Sequence, residues 1–404
     1  MMITKMKLNR GLVIVGFCFL VMASAGQVCQ PQPDAKNELV NGLKQGKWVE
    51  FIDGSGKSTN DTAATVFYRI TYYNSGEPHG VMWEYNKNNL LRSEVPYTNG
   101  KKNGIAKEYS LTGNVQREDS YTNGMLNGPK RIYNEGGILQ SEVFYRNDTL
   151  NGKMKLYYDD GTLRFESVYV NGKKNGVEKE YYESGRIRTE SPYKMDTLKG
   201  IEKIYNESGA LVNEAFYDDG MKNGEEKDYT GDGKLQTIST YTKGAKNGIE
   251  KQYYSDGYLY LESLYVNGMK SGIEKEYYKD GKLKSETPFA EAEIQGVVKA
   301  YYEGGALMRE SPYVHGEKNG VEKDYYKNGK LELEITYENG QLNGPEKYYY
   351  SNGILHNEIP YVFGKKSGVE KEYYVSGVLK AETIYYGGKM SAIKQYDTAG
   401  QEIK

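Results

Sequence analysis

Starting at Gly80, a glycine recurs every 24 residues as far as Gly368, thirteen times without insertion or deletion. A repeat this strict constrains the fold, because every copy must build the same small unit and cover its face with its neighbours. With that glycine as position 0, position 5 is Tyr in all thirteen copies. Position 17 is Tyr in twelve (Phe289 is the exception), and position 14 is Glu in twelve (Ile238 is the exception). Position 9 is Gly in all but the copy with Asn89, position 11 is always Leu, Ile or Val, and position 3 is Lys or Arg everywhere except Trp83.

Each copy therefore holds two segments of about seven residues, rich in Tyr and aliphatics. They are separated by turns such as "KDG" or "SNG" and followed by a second turn of the form "NGKKNG". Short segments with Gly, Asn and Asp between them read as antiparallel hairpins, each pairing with the next. The expected fold is all-β, an elongated single-layer antiparallel array of β-hairpin repeats, about 13 to 15 of them.

Turn chemistry sets the expected register. A two-residue type I′ loop over positions 8 and 9 needs positive φ at both, which Thr112, Ser184, Ser208 and Ser376 tolerate poorly. A three-residue loop with Gly at position 9 in the left-handed bulge site suits them better. It pairs position 5 with 11 and position 1 with 15. Val177, Tyr181, Ile187 and Tyr193 then share an aromatic and aliphatic face, with Glu178, Glu180 and Glu190 on the other. The type I′ register would instead set Lys179 opposite Glu190, an exposed attraction below about 1 kcal/mol. Burial of a Tyr and Leu row, at about 25 cal/mol per Å², favours the bulged register. Lys at position 3 would lay its stem over the tyrosine rings. Proline at position 16 (Pro96, Pro192, Pro288, Pro312, Pro360) should interrupt the ladder.

The stretch "DGSGKST" at residues 53–59 looks like a phosphate-binding loop, but Phe51 stands where the first glycine belongs. The repeat explains it: Gly46 takes position 0, Phe51 position 5, and the glycine pair falls on a hairpin turn. A ten-residue insertion separates this divergent copy from the strict array.

The N-terminus carries Lys5, Lys7 and Arg10, then "GLVIVGFCFLVMASA", which reads as a secretory signal ending at Ala25. The chain is expected to divide into a signal at 1–25, an N-terminal cap with a divergent repeat at 26–79, the regular array at 80–391 and a degenerate C-terminal cap at 392–404. Localisation is then the periplasm, cell envelope or extracellular space. Beyond the signal only Cys29 remains, which one thiol cannot turn into a disulfide or zinc site, although it could carry a lipid anchor.

The chemistry-bearing residues do not converge. His79, His315 and His356 occupy three different repeat positions, so no metal site or catalytic site is expected, and no cofactor. A net charge of -2 argues against a nucleic-acid partner. It argues equally against anionic lipid, leaving membrane contact only through the anchor. Of the 41 Tyr, most belong to repeated columns and read as scaffold. Specificity in such a scaffold belongs to columns that vary, here positions 10 and 12: Arg186 and Arg188, Ala306 and Met308, Ile354 and His356. Tyr258 and Tyr260 stand out in "GYLYLE" as the candidate partner-binding residues, because aromatics dominate binding energies.

Segments such as "YVNGKKNGVEKEYYESGRI" and "YVNGMKSGIEKEYYKDGKL" resemble the MORN repeat, in the bacterial variant of the YwqK-type antitoxin family. The resemblance runs over roughly residues 39–398, with Ala392 replacing the next expected glycine. Lys-x-Tyr-Tyr stands where the eukaryotic signature more often carries Trp or a second Gly. The resemblance implies a β-hairpin array used for protein contacts, with a toxin as one partner. The expected function is a non-catalytic, monomeric protein-binding scaffold; the alternative is a polysaccharide or membrane-surface binder.

Overall fold

A computed structural model describes residues 37–61 and 63–403. Among them are 39 strands and no helix, in antiparallel ladders. The chain divides into two compact units, one reaching Leu126 and including Glu135–Gly137, the other made of Asn127–Asn134 and Ile138 onward. Within each, hairpin follows hairpin as the 24-residue period requires.

The copy beginning at Gly176 shows why the hairpin closes as it does. Its strands Gly176–Tyr181 and Ile187–Lys194 meet at Tyr181 opposite Ile187. The Gly185 amide donates to the Tyr182 carbonyl at 2.8 Å, and Gly185 adopts φ +77°. This is the expected three-residue loop with glycine in the left-handed site. The second turn is a two-residue one: Val170 pairs with Lys173 across Asn171 (φ 50°) and Gly172 (φ 80°), a type I′ geometry that Asn-Gly favours.

Past the first turn the structure departs from expectation. Arg188 has no cross-strand partner and forms a bulge, so Glu180 lies opposite Thr189 and Lys179 opposite Glu190. Position 1 pairs with 16 (Val177 with Pro192), not with 15. The hairpin thus takes the bulged register at its tip and the other register along its body. One extra residue shifts the parity, so the ion pair and the turn are both satisfied.

The predicted faces change accordingly, since paired residues share a side and neighbours alternate. Val177, Tyr181 and Ile187 do share one face, but Tyr193 lies with Glu178 and Glu180 on the other. Glu190 joins the Val177 face, where Lys179 holds it at 3.0 Å. Lys179 is therefore an ion-pair partner on that face rather than a cover for tyrosine rings.

The ladder between repeats does lapse at Pro192: it runs through Thr189–Ile204 and Glu190–Lys203 and resumes at Tyr193–Leu198. The same gap surrounds Val168, where there is no proline. Proline therefore occupies a break that the repeat already contains, where no amide is needed.

The divergent first copy obeys the same plan. Leu43–Asp53 pairs with Thr65–Asn74, Gly46 opposite Tyr73 and Phe51 opposite Tyr68. "GSGKST" lies on the turn, where the Asp53 carboxylate accepts the amides of Ser55 (2.8 Å) and Lys57 (3.0 Å). A carboxylate already takes amides that a phosphate would need. At the other end, Lys389–Tyr396 still pairs with Leu379–Tyr386, and Glu402–Ile403 adds to it. The expected signal and Cys29 lie outside the described residues.

Candidate interaction surface

Tyrosine hydroxyls tie many repeats to the next. The Tyr181 hydroxyl (position 5) donates to Glu166, position 14 of the preceding copy, at 2.8 Å; Tyr325 and Glu310 do the same at 3.0 Å. The Tyr182 hydroxyl (position 6) donates to the Tyr205 carbonyl at 2.8 Å, and Tyr302 to the Tyr325 carbonyl at 2.8 Å. Each such bond contributes about 1 kcal/mol and needs the phenol oxygen, which is why the chain uses 41 Tyr and only 9 Phe.

The covered face is polar. Glu250 at position 2 is 5% exposed and Ser263 at position 15 only 1%. Ser239 Oγ donates to Glu250 Oε2 at 3.0 Å, Lys246 pairs with the same carboxylate, and Gln252 donates to its other oxygen at 3.0 Å. Burial pushes the Glu250 carboxyl up, but the hydrogen bonds from Lys246 and Gln252 outweigh it and hold the group below the usual glutamate range. The Lys246 ammonium also sits 5.0 Å over the Tyr265 ring. The constellation recurs: Lys174–Glu178 at 2.5 Å, Lys366–Glu370 at 2.8 Å, and Ser263 to Glu274 at 2.6 Å. The buried Glu250 carboxylate is tolerated because each of its oxygens has a donor.

The opposite face carries the aliphatic side chains into solvent. In the second unit Val177, Ile201, Ile249, Ile273, Val297 and Val321, all at position 1, are 42–52% exposed. Across the strand pair stand position-16 residues, of which Phe216 and Leu264 are also exposed. Single exposed aliphatics are ordinary, but one column repeated in register makes an apolar row. Beside it runs the Lys–Glu row of positions 3 and 14, as in Lys179–Glu190 and Lys347–Glu358 at 3.6 Å. An apolar row with a charged margin is the layout of a protein-docking surface.

Tyr258 and Tyr260 differ in their surroundings. Tyr258 leaves the turn 58% exposed, while Tyr260 is half-buried and meets Tyr254 edge to face, ring centroids 5.0 Å apart. Glu276 faces Tyr260 and raises its phenol above the ordinary range. Tyr260 occupies position 12, the bulge site, which Arg188 fills in its own copy. Of the histidines, His315 lies 3.6 Å from Glu293 and His356 packs on Tyr350, in separate repeats.

Sequence reasoning placed the position-1 aliphatics on a covered face and so missed the exposed row. A signal was available: lysine two residues before the glycine is accompanied by glutamate two residues after it in six copies, such as Lys222 and Glu226. That pairing ties position 2 to the charge network.

The profile of the MORN repeat variant matches ten segments: residues 102–123, 126–147, 150–171, 174–195, 198–219, 222–243, 270–291, 294–315, 318–339 and 342–362. Together these exceed half of the chain. No curated protein of similar sequence is found. Among solved structures, "Crystal Structure of TcdB2-TccC3" is 11% identical over 86% of this chain and 20% of its own, with a TM-score of 0.17. "Structure of Photorhabdus luminescens Tc holotoxin pore, Mutation TccC3-D651A" is 13% identical over 85% and 19%, with a TM-score of 0.13. The chain spans about a fifth of the length of these structures, a likeness too slight to bear on function.

Proposed function

Because the chain belongs to the MORN repeat variant family, we propose that it is a non-catalytic interaction scaffold that holds a protein partner on its exposed aliphatic row. The observation that supports this reading is the row itself: half-exposed Val and Ile at position 1 in copy after copy, flanked by paired charges. A soluble chain gains nothing by showing water such a row unless something covers it. The "GLVIVGFCFLVMASA" segment supports export, so the partner is sought in the envelope or outside the cell, and the scaffold acts as a monomer. Neutralisation of a toxin is the narrower form of the same reading.

The test starts with residues 26–404 as bait for envelope and secreted fractions, followed by purification of the captured protein and titration calorimetry. Replacing Ile249, Ile273 and Val297 with Ser should weaken the purified complex by on the order of 2 kcal/mol, with the melting temperature nearly unchanged. Full affinity in that variant sinks the proposal. Binding to phosphatidylcholine–phosphatidylglycerol vesicles that the same variant abolishes would replace it with a membrane-surface function.

A further inference from the structure

The repeat supplies an internal standard for one position where a group is missing. Seven copies carry lysine two residues before the glycine, and in six of them a glutamate follows four residues after that lysine. In the structure these six pairs are joined: Lys174–Glu178, Lys222–Glu226, Lys246–Glu250, Lys270–Glu274, Lys318–Glu322 and Lys366–Glu370. Where the lysine is replaced by an aliphatic, the second position can be apolar too, as in Leu150 with Met154 and Ile294 with Val298. The seventh lysine, Lys102, breaks the rule. Ala106 stands where its glutamate belongs.

Lys102 lies in the first compact unit, half-buried, its ammonium 4.9 Å over the Tyr121 ring. Among the described residues it has no carboxylate within ion-pairing distance. The shortened side chain at 106 leaves a cleft of about 370 Å³, lined by Lys102, Ala106, Tyr97 and Tyr121 among others. The acidic groups around it are engaged: Glu84 Oε1 accepts from both Nε and Nη2 of Arg69, Asp119 is held by Arg117 at 2.6 Å, and Glu108 lies 3.6 Å from Arg117. Burial pushes the Tyr97 phenol up, and among the described residues its hydroxyl makes no hydrogen bond.

We propose that the Lys102–Tyr97 cleft is a binding site for a carboxylate supplied from outside the chain, seated where the other copies place their own position-2 glutamate. A charged acceptor there would receive a charge-assisted bond from the Lys102 ammonium, as the position-2 glutamate does in the six complete copies. The carboxylate can come from a small free acid or from an acidic side chain of a protein. This inference rests on the cleft alone and is independent of the scaffold reading, since it is tested with small probes.

The experiment is titration calorimetry of residues 26–404 at low salt with two probes, succinate and the peptide acetyl-Gly-Glu-Gly-amide. At least one should bind with a dissociation constant on the order of 1–10 mM. Succinate alone identifies a free acid as the ligand class, and the peptide alone a protein-borne side chain. Lys102→Met should weaken that binding by about tenfold or more. Ala106→Glu restores the arrangement of the six complete copies, so it should fold, melt higher than the parent and abolish probe binding. The proposal is overturned if neither probe binds, if Ala106→Glu binds as the parent does, or if inorganic phosphate binds as well as both carboxylates.

Discussion

Gly200 shows how little room the repeat leaves at its defining position. Its φ is +123°, and an added Cβ would come within 2.9 Å of Pro192 Cγ. Glycine is thus required twice, once by the backbone and once by the proline of the preceding strand. Gly200→Ala is expected to cost roughly 1–3 kcal/mol. Gly304, which lies on a turn without a positive φ and with open space at its Cβ, provides the contrast. Gly304→Ala should be neutral or stabilise by up to about 1 kcal/mol through the unfolded chain. Denaturant midpoints of the two variants decide the matter, and equal midpoints would remove strain as the reason for the period-defining glycine. The phenol oxygens tell the same story at the residue scale: Phe would pack as well as Tyr181 but would leave Glu166 without its donor.

At the scale of the element, the hairpin is a compromise between two registers. The turn favours one and the cross-strand pairs favour the other, and a single bulged residue at position 12 reconciles them. A bulge re-aims its side chain, so position 12 is where copies can differ without disturbing the ladder. Tyr260 holds that site in the Gly248 copy and packs on Tyr254, while Tyr258 is free on the surface. Tyr258→Ser should shift stability by less than about 0.5 kcal/mol, and Tyr260→Ser should cost about 1 kcal/mol for the lost ring contact. If this copy anchors the partner, the double variant loses on the order of 2 kcal/mol of binding. Unchanged affinity would take these two residues out of the docking surface.

Over the whole molecule the repeated pairs make stability depend on pH at both ends. Burial and Glu202 push the Tyr217 phenol up to about 12, and burial with Glu214 does the same for Tyr229. Tyr301 and Tyr349 follow with Glu286 and Glu334. An unfolded phenol titrates near pH 10, so this contribution is whole below about pH 10 and is lost as pH rises towards 12. Glu226 and Glu250 are shifted down, so theirs is whole above about pH 4.5 and lost below it. Phenolate absorbance should therefore rise together with the loss of the far-ultraviolet β signal. Phenols that titrate near pH 10 while the fold persists would contradict this. Much of the architecture was legible in the chain: the period, the hairpins, the three-residue turn with Gly185 and the false phosphate loop at Lys57 follow from local turn chemistry, which acts over a few residues. Which face is covered was not legible in composition, and only the spacing of pairs such as Lys174 and Glu178 hinted at it. Val177 is more hydrophobic than Glu178, so composition alone places it inside. Only the packing of successive repeats shows that Lys174 neutralises Glu178, and that in the copies of Glu250 and Glu322 a serine of the preceding repeat reaches the same carboxylate. The serine bonds cross from one repeat to the next, and together with the lysine they make the polar face the one that can be buried.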